Sequence, residues 1–300
     1  MMAANTKRLE ESTKYKHLSI KFDPDYQAVW SSFKYPGRPC ISLDLLRESK
    51  QAQMQIEQMA KSGYEQNDAN RLLYQIFASD QPEVFSVGGD LKYFTQLIRA
   101  KDRERLFEYA KLCIDIAYPA ATSYGVPFTT IALVQGEALG GGFEAALSAN
   151  VLIAERSAKF GFPETVFGMF PGMGAFSFLA RRLSPAMAKR IINSGKVYSA
   201  EELYDMGVVD DLVPDGKGKQ AVYEYMRHRQ NRHLGYQGVD ILADQFNPLT
   251  YKELMDVIVL WVDTAMQLSD KNLRLMEYLI RAQEKRWVDT KQDELITIAG

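Results

Sequence analysis

"ALGGGFEAALS", residues 138–148, sets three glycines directly against a stretch that favours helix. A helix N-terminus carries backbone N–H groups with no intrahelical acceptor. Glycine lets a ligand approach that backbone closely. If the helix starts at Gly141, Glu144 lies one turn on and shares a face with it. The loop would then hold an oxygen while the helix presents a carboxylate to the neighbouring carbon, with the helix dipole favouring its ionised form. A tight packing turn with Glu144 in solvent is the plainer alternative.

Working outward, "PFTTIALVQG" (127–136) before the loop and "VLIAE" (151–155) after it read as buried strands. "HLSIKF" (17–22) and "QAVWSSF" (27–33) flank the turn "DPDY" as a hairpin. "SLDLLRESKQAQMQIEQMAKSG" is helical, with Gly63 as its stop, and "RLLYQIFAS" (71–79) is a further buried strand. Ser184-Pro185 reads as a helix cap and first residue, Ser199 with Glu202 as a capping box, and "VVDDLVP" (208–214) as a strand. Strands and helices alternate to about residue 214, which predicts an α/β fold with right-handed crossovers. From about 219 the chain is helical, and 249–287 carries apolar residues around most of its circumference. Such a helix is covered on several faces, in part by a subunit interface.

A second loop has the same design. "SVGGD" (86–90) follows an apolar run and opens a helix capped by Asp90. Two N–H donors, one from each loop, could converge on one oxygen as an oxyanion hole, commonly worth about 2.7–4 kcal/mol per donor. Another carboxylate, Glu164, sits in the apolar setting "GFPETVFG", where a first-turn helix residue after Pro163 is the alternative. Neither loop has the Lys-Ser/Thr of a phosphate loop, and no G-x-S-x-G elbow occurs.

The remaining numbers narrow the classes. The chain has 300 residues, 46% hydrophobic and 25% charged, with a net charge of −2, so no global field draws it to nucleic acid or membrane. Cys40 and Cys113 lack metal or redox spacing and read as reduced thiols of a cytoplasmic protein. The polar N-terminus lacks the apolar run of a signal peptide, and no stretch is apolar enough for insertion in a membrane. With three histidines, two of them in one polar segment, acid–base chemistry falls to carboxylates, and no metal site is expected.

Taken together, "VFSVGGDLKYF", "IALVQGEALGGGFEAALSANVLIAE", "KFGFPETVFGMFPGMGAFSFLARRLS" and "YSAEELYDMGVVDDLVP" resemble the crotonase (enoyl-CoA hydratase/isomerase) superfamily in order and spacing. "LGGGFEAALS", "FPGMGAFSFL" and "IVLWVDTAMQL" resemble more closely its diffusible signal factor synthases, which make cis-2-unsaturated fatty acid quorum-sensing signals. The polar residues 1–16 read as an N-terminal tail, and the resemblance implies a spiral of ββα units (17–218) and a C-terminal helical region (219–300) that covers the site and joins subunits as a homotrimer or dimer of trimers. It implies that Gly89 and Gly141 supply the oxyanion N–H groups and that Glu144 and Glu164 are the catalytic pair. Dehydration of a 3-hydroxyacyl thioester, then hydrolysis, would follow. Ordinary enoyl-CoA hydration and a silent partner-binding protein are the alternatives.

The acyl chain would need an apolar tunnel. Phe167, Met169, Phe170, Met173, Phe176 and Phe178 are near Glu164 in sequence, and Trp261 could close it, with plain core packing the alternative for each. No cofactor is expected beyond the thioester's carrier, coenzyme A or acyl carrier protein. An acidic carrier protein needs a basic patch, for which "RAKDRER" (99–105), with Arg99, Lys101 and Arg103, and "ARR" (180–182) are candidates. The signal synthases are also held in check by a sensor-kinase receiver domain, which the resemblance makes a possible partner.

Overall fold

The computed structural model describes residues 15–81, 83–230 and 233–299. The expected N-terminal tail lies almost wholly outside the described residues. The run at 129–134, TTIALV, is a strand buried at every position, its two threonines included, as suits a sheet covered on both faces. It sits at the centre of a repeating unit. Each turn of the chain gives one strand to a six-stranded sheet and the next to a four-stranded sheet, and then returns through helix.

The strands are β1 (Leu18–Asp23), β2 (Ala28–Phe33), β3 (Tyr74–Ser79), β4 (Val84–Ser86), β5 (Thr129–Val134), β6 (Glu137–Leu139), β7 (Val151–Glu155), β8 (Lys159–Gly161), β9 (Val197–Ser199) and β10 (Asp211–Val213). The larger sheet has the order β1-β2-β3-β5-β7-β10 and the smaller β4-β6-β8-β9. Only β1–β2 and β8–β9 are antiparallel. The pairs β3/β4, β5/β6 and β7/β8 are thus successive turns of a ββα spiral, the fold class expected.

The helices are α1 (Leu43–Glu65), α2 (Leu91–Arg99), α3 (Arg103–Ala121), α4 (Gly141–Leu147), α5 (Ala175–Arg182), α6 (Pro185–Ser194), α7 (Ala200–Asp205), α8 (Gly218–Gln230), α9 (His233–Phe246), α10 (Tyr251–Ala265) and α11 (Asp270–Ala299). One face of the large sheet packs Trp30, Ile76, Ile131 and Ile153 against Val222 and Met226 of α8. The other faces α1 and α3. Each large apolar side chain buried this way contributes roughly 1.5–3 kcal/mol.

The caps read from sequence hold: Asp90 opens α2, Ser184 opens α6, and Ser199 with Glu202 closes a capping box on α7. Other expectations change. Gly63 does not stop α1, which runs two residues further; a Cβ there would lie 2.7 Å from Cβ of Arg71, so glycine serves close packing. The strand expected over 208–214 is only Asp211–Val213, because Val208 and Val209 bond to the end of α7. The apolar stretch 249–287 is two helices, α10 on α3 and α11 on α2.

Candidate active site

The two glycine loops meet. β4 delivers Val87-Gly88-Gly89, held by bonds from Val87 N–H to Pro39 O (2.9 Å) and from Ile41 N–H to Gly88 O (2.8 Å). Asp90 accepts from the N–H groups of Lys92 and Tyr93 and pairs with Arg38 at 2.7 Å, which fixes the start of α2. β6 delivers Gly140, whose N–H donates to Gly161 O at 2.8 Å. Gly140 has φ +51°, and a Cβ there would lie 2.4 Å from Oε1 of Glu164. Glycine is therefore required twice over, for backbone conformation and for room. A Cβ on Gly141 would come within 3.3 Å of Gly89 N, so the two backbones face each other closely. Among the described residues the N–H groups of Gly89 and Gly141 donate to no protein acceptor.

Glu144 lies one turn into α4 and is 3% exposed. Its Oε1 accepts from the N–H groups of Met173 (2.6 Å) and Ala175 (3.0 Å). Burial pushes its carboxyl up to about 7, although those two bonds favour the ionised form. Glu164 sits on the short 3-10 turn Pro163–Phe167, carried by β8. The residue is half-buried, but its Oε2 is sealed from solvent and has no hydrogen-bond partner. Burial first, and then the neighbouring Glu144, push its carboxyl up to about 8. Of the two, Glu144 gives up its proton more readily.

Both carboxyls titrate higher here than in an unfolded chain, so the stability this confers is complete below the ordinary carboxylate range and lost as pH rises through about 8. Relative to Glu164→Gln, the wild type should lose roughly 4 kcal/mol of stability between about pH 5 and about pH 9. Urea unfolding of both proteins at the two pH values measures this, and parallel behaviour would contradict it.

Gly89, Gly141, Glu144 and Glu164 line one cavity, with an empty volume, mouth included, of about 1310 Å³. Of the residues expected along an acyl tunnel, Phe167, Met169, Met173 and Trp261 line it, and Phe170, Phe176 and Phe178 do not. Phe176 is 45% exposed on the outer face of α5, Phe178 turns back onto Gly174, and Phe170 packs at the edge of the core. Proximity to Glu164 in sequence does not place them, because α5 points its faces alternately in and out. The long apolar wall comes instead from α1, α3 and the sheet, through residues such as Leu45, Leu46, Phe77, Ile116 and Ala117. Leu45, Leu46 and Phe77 lie in segments legible as helix and strand whose common destination the sequence does not reveal, and the sequence reading places no helix over 103–121, which carries Ile116 and Ala117. Tyr109, Cys113, Ile116, Ala117 and Ala120 carry the i, i+4, i+7, i+8 spacing that reveals such a face. Burial drives the Cys113 thiol far up, which leaves it protonated and inert.

α10 and α11 roof the site. The Trp261 ring meets Phe94 edge-on at 5.3 Å, and Asn272 Nδ2 donates to Phe167 O at 3.1 Å. Arginines of both expected basic docking patches are held in ion pairs. Arg99 pairs with Glu277 (2.8 Å) and Arg103 with Asp263 (2.8 Å), so both tie the roof down. Arg181 pairs with Glu253 and Arg182 with Asp210, both at 2.8 Å. Lys101 is exposed. Among the described residues no three His, Cys, Asp or Glu side chains cluster to hold a metal, and no helix is long and apolar enough to cross a membrane.

Human enoyl-CoA hydratase domain-containing protein 2, mitochondrial, is 35% identical over 152 residues, 51% of this chain and 50% of that protein. The probable enoyl-CoA hydratase echA8 of Mycobacterium leprae is 33% identical over 165 residues, 52% of this chain and 60% of that protein. The chain therefore spans about half the length of the curated relatives it matches. Among solved structures, enoyl-CoA hydratase from Bacillus halodurans superposes with a TM-score of 0.71 at 20% identity, covering 88% of this chain and all of that one (100%). DspI from Pseudomonas aeruginosa superposes at 0.59 and 19% identity, covering 94% and 95%. These likenesses show a shared fold. The enoyl-CoA hydratase/isomerase family model matches residues 53–237, more than half of the sequence, and the chain belongs to that family.

Proposed function

We propose that the chain dehydrates a 3-hydroxyacyl thioester and then hydrolyses it, releasing a free cis-2-unsaturated fatty acid of the diffusible signal type. The observation that carries this reading is the pair of buried carboxyls of unequal acidity, facing one apolar cavity beside two unspent amide N–H groups.

The thioester carbonyl oxygen sits between the N–H groups of Gly89 and Gly141. Ionised Glu144 removes the α-proton, and the enolate charge on that oxygen is held by the two amides. Protonated Glu164 donates to the 3-hydroxyl, which leaves as water while the double bond forms between C2 and C3. Glu144 is now protonated and Glu164 ionised. Glu164 then takes a proton from a second water, whose oxygen attacks the carbonyl carbon. The tetrahedral oxyanion uses the same two amides. The thiolate departs with the proton of Glu144, which restores both starting states. The scheme uses the carrier of the thioester, coenzyme A or acyl carrier protein, and no other cofactor. The exposed Leu242, Phe246 and Leu260 of α9 and α10 are proposed as part of a subunit interface.

Mass spectrometry of products from purified protein and 3-hydroxyacyl thioesters tests the reading. A free cis-2-enoic acid is expected. Products that stay on the thioester, with reversible hydration of a trans-2-enoyl group, would instead assign ordinary enoyl-CoA hydratase activity, the chemistry named for the relatives above. No turnover by either route would leave the role of a partner-binding protein.

A further inference from the structure

Beyond Glu144 the cavity continues as a limb between α1, α3 and the inner face of the large sheet. Along α3 it runs from Tyr109 to Ala120, about 16 Å of helix, and along α1 from Leu45 to Gln53, about 12 Å. Its outer end is the oxyanion loop, where the Tyr109 hydroxyl donates to Ile41 O at 2.5 Å. The walls are apolar, but the inner end is not. Ser31, Gln53 and Gln75 line it and are 3%, 2% and 3% exposed.

Most of the hydrogen-bonding capacity there is spent. Gln75 Nε2 donates to Ser31 Oγ at 2.9 Å, and Gln75 Oε1 accepts from the Tyr124 hydroxyl. Gln53 Nε2 donates to Ile116 O at 2.6 Å, which fixes which way that amide faces. Gln53 Oε1 accepts from nothing. A buried amide oxygen is costly without a donor. The end of a saturated chain would leave it unpaired. The hydroxyl of Ser31, an acceptor for Gln75, likewise has no recorded acceptor for its own proton among the described residues. One open acceptor and one open donor suit an alcohol, which donates and accepts through a single oxygen.

We propose that the inner end of the limb recognises a hydroxyl group at the far end of the acyl chain, with Gln53 Oε1 as its acceptor. The proposal builds on the acyl-thioester reading above and names the substrate class within it. The test compares 3-hydroxyacyl thioesters, across a homologous series, with counterparts that also carry a terminal hydroxyl. At the best-fitting length the wild type should favour the hydroxylated substrate by about tenfold in kcat/KM, and Gln53→Leu should abolish or invert that preference. The ratio is taken within each protein, so a general loss of activity cancels, and Gln53→Met serves if the leucine variant does not fold. Calorimetry with the free fatty acid and its terminally hydroxylated form reads recognition without turnover. Absence of turnover with a retained binding preference would therefore sink the catalytic reading and leave this one standing. No preference at any length, in turnover or binding, or the same preference in both Gln53 variants, would overturn it and leave a buried water as the partner of Gln53.

Discussion

Glu144→Gln and Glu164→Gln should each lower kcat/KM for dehydration by about 10²–10⁴-fold while the protein remains folded. The first variant is informative because its amide oxygen can still accept from Met173 and Ala175. The loop that carries those residues then stays in place, and the loss is one of proton transfer. In the second the buried Oε2, which has no partner, is replaced by a neutral group, so its stability should not suffer. Steady-state kinetics alongside thermal unfolding separates chemistry from folding. The wild-type pH profile adds a check. Dehydration needs Glu144 ionised, so kcat/KM should rise with pH through about 7, and it needs Glu164 protonated, so it should fall through about 8. Each glutamine variant should lose one limb of that bell. Either variant turning over at the wild-type rate would remove the carboxyl pair from the mechanism.

Gly141→Ala should lower kcat/KM by about 10²-fold or more with little change in melting temperature. Gly141 is the first residue of α4 and its φ is not positive, so alanine fits the backbone. The added methyl would lie 3.3 Å from Gly89 N and 3.7 Å from Cδ1 of Ile41, between the two amides where the thioester oxygen must sit. It would exclude that oxygen without removing a donor. Gly140→Ala is the contrasting change, because strain and a clash with Glu164 should cost stability as well. Near-normal turnover in Gly141→Ala would place the oxyanion elsewhere.

The glycine loops, the strands around them and both glutamates were legible because each is a local pattern: a buried strand, a turn residue and a cap within a few positions. The meeting of Gly89 with Gly141 rests on the parallel pairing of β4 with β6, which no internal repeat in the sequence announces and only the family resemblance implies. The limb of the cavity beyond Glu144 was not legible, because its walls join segments far apart in sequence, and its α3 wall lies in a helix whose charged start masks its apolar face. Phe176 shows the converse error. An aromatic residue beside the site in sequence stands 45% exposed on the wrong side of α5. Nor does a run of cations show its partners. Arg99 and Arg103 stand in sequence as candidates for a docking patch, and the structure sets the acids of α10 and α11 beside them.

The roof has a consequence for biosynthesis. Gly89, Gly141, Glu144 and Glu164 lie before residue 165, yet Trp261, Ala265 and Met276, which line the same cavity, are made about a hundred residues later. A nascent chain emerging from the ribosome thus completes the spiral while its greasy interior is still open on one side. Premature termination within α10 would yield a nearly intact spiral with an uncovered apolar trough, a species prone to aggregate before it could ever turn over substrate.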